Sequence, residues 1–256
     1  MKYRLVIADV DGTLIKPGDC KTTGVSPRVA KSVETARKKG AVFSIATARS
    51  MDWVETLVKT MKLDSLIILD NGARIYDCMT EKYIFNAYIS KKKVEEIMSV
   101  LKKLPFEKYY VDTNNRYLYN PLNPRTFKEV VKIMILHVSP YDAQEIFETV
   151  SSIKDIRVTK SVSGTDPVKE SIHITDIEAS KEKALKRIID LLGISQDQVI
   201  AIGDSYNDFS LLTSSGLKVA MGNAVAEIKS IADYIAPSYD QDGVADVLDK
   251  FIIKES

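Results

Sequence analysis

Short apolar runs rich in β-branched residues recur along this chain, each followed by a stretch with helical spacing. That alternation admits few folds other than a parallel sheet flanked by helices. Residues 3–10 read as a buried strand. Ser26-Pro27 opens a helix, with Ser as N-cap and Pro at the first helical position, and Gly40 stops it. A second strand over 41–47, a helix over 52–61 and a third strand over 65–69 follow. Asn71-Gly72 then turns the chain into a small hairpin over 74–77 and 83–85. After residue 170 the same rhythm returns: a strand over 171–175, a helix capped by Ser180 and ended before Gly193, and a strand over 199–202. A helix from about Tyr206, a strand over 217–220 and a last helix over 244–253 complete it.

The middle of the chain reads differently. A Lys-rich amphipathic helix spans 90–104, short strands lie near 109–112 and 117–119, and a strand at 131–137 leads to a helix at 141–151. A strand over 156–160 then enters a Ser/Gly/Asp/Pro loop at 161–167. Asn120-Pro121, Asn123-Pro124 and Ser139-Pro140 punctuate the segment. Residues 83–170 carry 14 Lys+Arg against 11 Asp+Glu, while the rest carry 22 against 24, and seven of the 12 tyrosines fall in this segment. The expectation is a doubly wound, Rossmann-like parallel α/β core made of residues 1–82 and 170–256, interrupted by an α+β cap at 83–169.

Composition bounds the partners. With 256 residues and 45% hydrophobic content the chain can bury a core. A net charge of +1 argues against a nucleic-acid or anionic-membrane binder, since both need a basic face, although a local basic patch is compatible with a balanced total. No apolar run approaches the ~18 residues of a membrane span. The first one, Leu5 to Ala8, is cut off by Asp9 and is too short for a signal peptide. A cytoplasmic protein, monomeric or homodimeric, is expected. Two cysteines, Cys20 and Cys78, and two histidines, His137 and His173, cannot form the usual zinc cage, so a metal here is to be held by oxygen.

The chemistry gathers at strand ends, where open α/β sheets bind ligands. Asp9 and Asp11, in Asp9-Val10-Asp11-Gly12-Thr13-Leu14, point to one side of an extended chain. Carboxylates so close repel, and a metal ion or a shared proton must offset them. A second acidic group, Gly203-Asp204-Ser205-Tyr206-Asn207-Asp208, again ends a strand and opens a helix. Its oxygen donors suit Mg²⁺, although helix capping by Asp204 or Ser205 accounts for part of the same pattern. Thr47 and Arg49 in Ala46-Thr47-Ala48-Arg49 offer a hydroxyl and a guanidinium, and Lys181 stands in the first turn of a helix, where an anion is favoured.

Taken in order, Asp-x-Asp-Gly-Thr, a strand-end Thr, a Lys and Gly-Asp-x-x-Asn-Asp resemble the four motifs of the haloacid-dehalogenase-like superfamily. Asn71-Gly72-Ala73, Met221-Gly222-Asn223-Ala224 and Asp242-Gly243-Val244-Ala245 resemble its Cof-type branch, which carries a large α/β cap between the second and third motifs. Two positions depart from that branch: Ala48 stands where Gly is usual, and Glu182 follows the Lys where Gly is frequent.

The resemblance implies a Mg²⁺-dependent phosphatase acting on a small phosphorylated metabolite, such as a sugar phosphate or phosphoglycolate. Asp9 would be the nucleophile, forming an aspartyl-phosphate. Asp11 would be the general acid and then base, its proton favoured by neighbouring carboxylates. Thr47 and Lys181 would hold the phosphoryl oxygens. Gly12, Ala48, Arg49 and Asn207 would complete the phosphate-binding side, Asn207 also orienting the metal cluster. The metal would bind Asp9, Asp11 through its backbone carbonyl, Asp204, and Asp208 directly or through water. The alternatives are a phosphomutase of the same superfamily and, less well fitted, a phospho-accepting signalling domain using Asp70.

Overall fold

The computed structural model describes residues 1–18, 24–113, 115–120, 127–163, 166 and 168–254. Cys20 and the expected loop signals at residues 121, 123, 124, 164, 165 and 167 lie outside them. In chain order, β1 (Leu5–Ala8) leads through α1 (Pro27–Lys38) to β2 (Val42–Ile45). Then α2 (Glu55–Thr60) precedes β3 (Leu66–Leu69), β4 (Arg74–Asp77) and β5 (Lys82–Asn86). The middle runs α3 (Lys91–Leu101), β6 (Tyr109–Val111), β7 (Arg116–Leu118), β8 (Lys132–Val138), α4 (Pro140–Ser151), β9 (Ile156–Val162) and β10 (Glu170–Asp176). The chain returns through α5 (Lys181–Leu192), β11 (Val199–Gly203), α6 (Phe209–Thr213), β12 (Leu217–Ala220), α7 (Ala226–Ile231), β13 (Tyr234–Ile235) and α8 (Gly243–Leu248).

The first sheet has the order β13-β12-β11-β1-β2, all pairs parallel. Its central strand β1 is apolar at every position because helices cover both faces, and all four of its residues are fully buried. On α1, Ser26 caps by accepting from Val29 N at 3.1 Å, Pro27 takes the first position, and Val29, Val33 and Ala36 form the buried stripe. The α7 and β13 elements, six and two residues long, are too short to leave a periodic signal in the sequence.

The third strand differs from its expected place. β3 pairs antiparallel with β4, in a separate β3-β4-β5 sheet. It adjoins the parallel sheet through one bridge, Ala46 with Ile68, and through the Ser44 hydroxyl, which donates to Leu66 O at 2.6 Å.

A larger correction concerns β10. The sequence reading returns residues 171–175 to the parallel core, but β10 is hydrogen-bonded antiparallel between β8 and β9 in a second sheet of order β7-β6-β8-β10-β9. The reason is visible in its alternation. Ile172 and Ile174 bury against Val94, Ile97 and Leu101 of α3 and Ile146 and Val150 of α4. His173, between them, lines a cleft on the opposite face. This antiparallel sheet with its two helices is the cap, and the chain leaves it after β10 and not before.

Candidate active site

The register of the parallel sheet assembles the site. β1 pairs with β11 so that Ala8 faces Ile202, and Asp9 N donates to Ile202 O at 2.9 Å. The residue after β1 therefore stands beside Gly203-Asp204. The chain goes from β1 to β2 on one side and is joined by β11, β12 and β13 on the other, so the crevice at these strand ends is a topological switch point.

Close approach explains two glycines. A Cβ on Gly12, whose φ is +77°, would overlap the Asp204 carboxylate, and one on Gly203 would lie 2.6 Å from Asp208 Cβ. Thr13 Oγ1 donates to Asp204 Oδ1 at 3.2 Å, and Asn223 Nδ2 donates to Gly12 O at 2.8 Å. Neither contact follows from spacing within the sequence.

Lys181 is the first residue of α5, whose cap Ser180 accepts from Lys183 N at 3.0 Å. Its Nζ donates to Asp9 Oδ1 and to Asp208 Oδ1, each at 2.6 Å, with all three side chains buried. The other oxygen of Asp208 accepts from the backbone N–H groups of Asp204 and Ser205 at 3.1 Å. Asp208 thus closes a capping box and anchors Lys181 at once. The capping account and the charged-site account describe one arrangement.

Asp9, Asp204 and Asp208 each bring a carboxylate oxygen within 4.8 Å of one another. Burial, with the Asp208 charge beside it, pushes Asp9 up to about 7 against the pull of Lys181. Burial and the charges of Asp208 and Asp9 push Asp204 up to about 9. Burial works against the Lys181 ammonium, yet Asp208 and Asp9 hold its pKa above the ordinary lysine value. Three carboxylates and one ammonium sum to −2, all oxygen donors, which fits a divalent hard cation.

Asp11 faces a different partner from the one expected. Its two oxygens accept from Arg49 Nε at 2.8 Å and Nη2 at 2.6 Å, a bidentate pair, and Gly18 N donates to it at 3.2 Å. Its nearest hydrogen-bonding partner is a guanidinium and not a carboxylate. Thr47, 1% exposed, accepts from Arg49 N at 3.1 Å through its hydroxyl. Asn207 Nδ2 donates to Asn71 Oδ1 at 3.4 Å, and Asn71 Nδ2 reaches Thr159 of the cap at 3.3 Å.

Lys132 escapes the sequence reading, and Asp70 enters it only as the phospho-acceptor of the signalling alternative, not as the centre of a charge cluster. Asp70 is fully buried and binds Ser50, Arg74 and Lys132. Lys132 comes from the cap strand β8, and its pairing is non-local, so no motif announces it. The cleft between the strand ends and the cap face holds about 1500 Å³ and is lined by Asp9 and Asp11 at its floor and by Tyr109, Met134 and His173 from the cap. That volume exceeds what a phosphoryl group fills, leaving room for a leaving group. Among the described residues no helix is long and apolar enough to cross a membrane.

A doubly wound core, a cap inserted after β5 and an acidic cluster held by a helix-start lysine define a hydrolase of the haloacid dehalogenase-like type. The pattern of that family, haloacid dehalogenase-like hydrolase, matches residues 6–248, and the chain belongs to it. It is a phosphatase of the Cof type. It is 26% identical to 5-amino-6-(5-phospho-D-ribitylamino)uracil phosphatase YcsE of Bacillus subtilis, over 98% of this chain and 96% of the relative. It is also 26% identical to phosphoglycolate phosphatase 1 of Saccharolobus solfataricus, over 97% of this chain and 96% of the relative. Among solved structures, the haloacid dehalogenase subclass IIB sugar phosphatase BT4131 superposes with a TM-score of 0.79 at 22% identity, over 97% of this chain and 99% of that one.

Proposed function

We propose that this phosphatase is Mg²⁺-dependent and hydrolyses a small phosphomonoester through an aspartyl-phosphate. The observation that carries the reading is Asp9: buried at the switch point, hydrogen-bonded by Lys181, and with a carboxylate oxygen within 4.8 Å of oxygens of Asp204 and Asp208. The oxygen of Asp9 not bonded to Lys181 attacks phosphorus, and the leaving oxygen departs with a proton from Asp11. Asp11 then takes a proton from the water that cleaves the acyl phosphate, regenerating Asp9. Arg49 fixes the Asp11 carboxyl for both transfers. Lys181 and the Thr47 hydroxyl hold the equatorial oxygens, where transition-state charge is greatest. Asp9, Asp204 and Asp208 would hold Mg²⁺, whose +2 charge would offset the −2 of the site and so favour entry of an anionic ester. The relatives named for a phosphoribityl compound and for phosphoglycolate support a small phosphorylated metabolite, and the cap residues lining the cleft are suited to selecting it. A panel of small phosphomonoesters assayed for phosphate release, with Mg²⁺ and with chelator, tests the proposal; turnover unaffected by thorough chelation would overturn it.

The carboxylates also set a pH signature. Asp9 and Asp204 stand at about 7 and about 9 in the metal-free fold against 3.8 unfolded, so the fold binds more protons than the unfolded chain between these values. Their stabilising contribution is complete below about pH 4 and is lost as pH rises through 7 and 9. A divalent ion replaces those protons, so the gap in Tm between Mg²⁺-loaded and chelated protein is expected to widen from pH 5.5 to pH 8.5. Thermal unfolding at the two pH values checks this, and a constant gap would contradict it.

A further inference from the structure

We infer that Lys132, carried by the cap sheet, is a positioning residue for the phosphate-binding segment Thr47-Ala48-Arg49; the inference rests on the proposed role of that segment. Three successive carbonyls of the segment are tied down. Thr47 O accepts from Asn71 N at 3.0 Å and Arg49 O from Asp70 N at 3.0 Å, both from the turn after β3. The middle carbonyl, Ala48 O, accepts from Lys132 Nζ at 2.8 Å. The core thus fixes the two ends of the segment and the cap fixes its centre.

Lys132 is itself held in place. Its side chain is 3% exposed and its Nζ lies 2.7 Å from Asp70 Oδ1, while the other Asp70 oxygen accepts from Arg74 Nε at 2.7 Å. Ser50, the next residue of the segment, donates at 2.6 Å to Asp70 Oδ1, the oxygen that faces Lys132. One carboxylate therefore couples the end of the segment, the turn that binds it and the cap lysine. Ala48 stands where this branch usually has Gly, and the peptide it governs is the one Lys132 grips. Displacing the cap sheet withdraws Nζ and leaves the centre of the segment unheld, so the phosphate site is complete only with the cap seated.

Substituting Lys132→Met tests this without stranding a charge, because Asp70 keeps Arg74 as its partner. The probe is inorganic phosphate as a competitive inhibitor, in the Mg²⁺-loaded full chain, since phosphate has no leaving group for the cap to recognise. Phosphate affinity is expected to weaken about 10- to 100-fold, the scale on which a small misplacement near the chemistry acts. The kcat/KM values for p-nitrophenyl phosphate and a sugar phosphate should fall by a common factor. Lys132→Arg, which keeps the charge and an N–H for Ala48 O, should recover much of the loss, whereas a packing defect would leave Arg no better than Met. Unchanged phosphate affinity, or a loss confined to one ester, would overturn the inference; the second result would make Lys132 a leaving-group contact. If Lys132→Met does not fold, the Arg variant and Lys132→Gln carry the same comparison. A wild-type protein that neither binds phosphate nor loses turnover on Asp9→Asn refutes the phosphatase mechanism first, and the positioning role with it.

Discussion

Replacing Asp9 with asparagine is expected to lower phosphomonoester turnover by a factor on the order of 10⁴ or more, the scale seen when a covalent nucleophile is removed. Asparagine keeps the shape of the side chain and can still approach Lys181, so substrate binding has no steric reason to fail. The same substitution is expected to stabilise the metal-free protein. Asp9 is held up to about 7 by burial and by Asp208, so above that pH its charge works against the fold. Asn removes that charge, and Lys181 retains Asp208 at 2.6 Å. A variant that is inactive and yet unfolds at a higher Tm in chelator at pH 8.5 separates a catalytic residue from a structural one, since a structural aspartate lost from the core would lower both quantities. Residual activity within tenfold of wild type would remove Asp9 from the nucleophile's role.

The difference between what the sequence discloses and what it conceals follows the range of the interactions. Strand ends carrying Asp9 and Asp204 were legible because a buried four- or five-residue run that stops at an acidic residue is a local pattern, and parallel sheets put such ends together. The placement of β10 departs from the sequence expectation, although the signal for it is local. Ser171-Ile172-His173-Ile174-Thr175 alternates polar and apolar with period two, as a one-faced antiparallel strand does, whereas Leu5-Val6-Ile7-Ala8 is apolar throughout. Lys132 and Arg49 were illegible in another sense. Arg49 offers a guanidinium for phosphate in the sequence, but its pairing with Asp11 spans 38 residues, and Lys132 reaches Ala48 across 84. No periodicity or motif encodes which surface of a cap faces which loop of a core.

Asp70→Asn is expected to produce the largest loss of stability among single polar substitutions around the cleft. Asp70 is wholly buried, and its backbone begins a turn in which three successive residues have positive φ: +52° at Asp70, +56° at Asn71 and +92° at Gly72. That turn aims the Asp70 and Asn71 N–H groups at Arg49 O and Thr47 O, and it brings Gly72 so close to the Ser180 carbonyl that a Cβ would overlap it. The strain is maintained by the side chain, which holds Arg74, Lys132 and Ser50 together. Burial alone would raise the Asp70 pKa, but Lys132 and Arg74 bring it below the ordinary value, so the group is ionised in the fold. Asparagine leaves two buried cations facing each other without a counter-charge, a change that costs about 3–5 kcal/mol. At ~2–4 °C per kcal/mol for a chain of this size, Tm should fall by about 10 °C. The pH dependence identifies the cause. A carboxylate whose folded pKa is depressed stabilises above the unfolded value of 3.8 and loses that contribution as pH falls below it, so the deficit should be full at pH 7 and shrink toward pH 3. The double variant Asp70→Asn/Lys132→Met, with one cation fewer, should be more stable than Asp70→Asn alone, because what Asp70 offsets is the repulsion between Lys132 and Arg74. Additive losses in that pair, or a deficit independent of pH, would mean that the turn itself and not the charge cluster is what Asp70 secures.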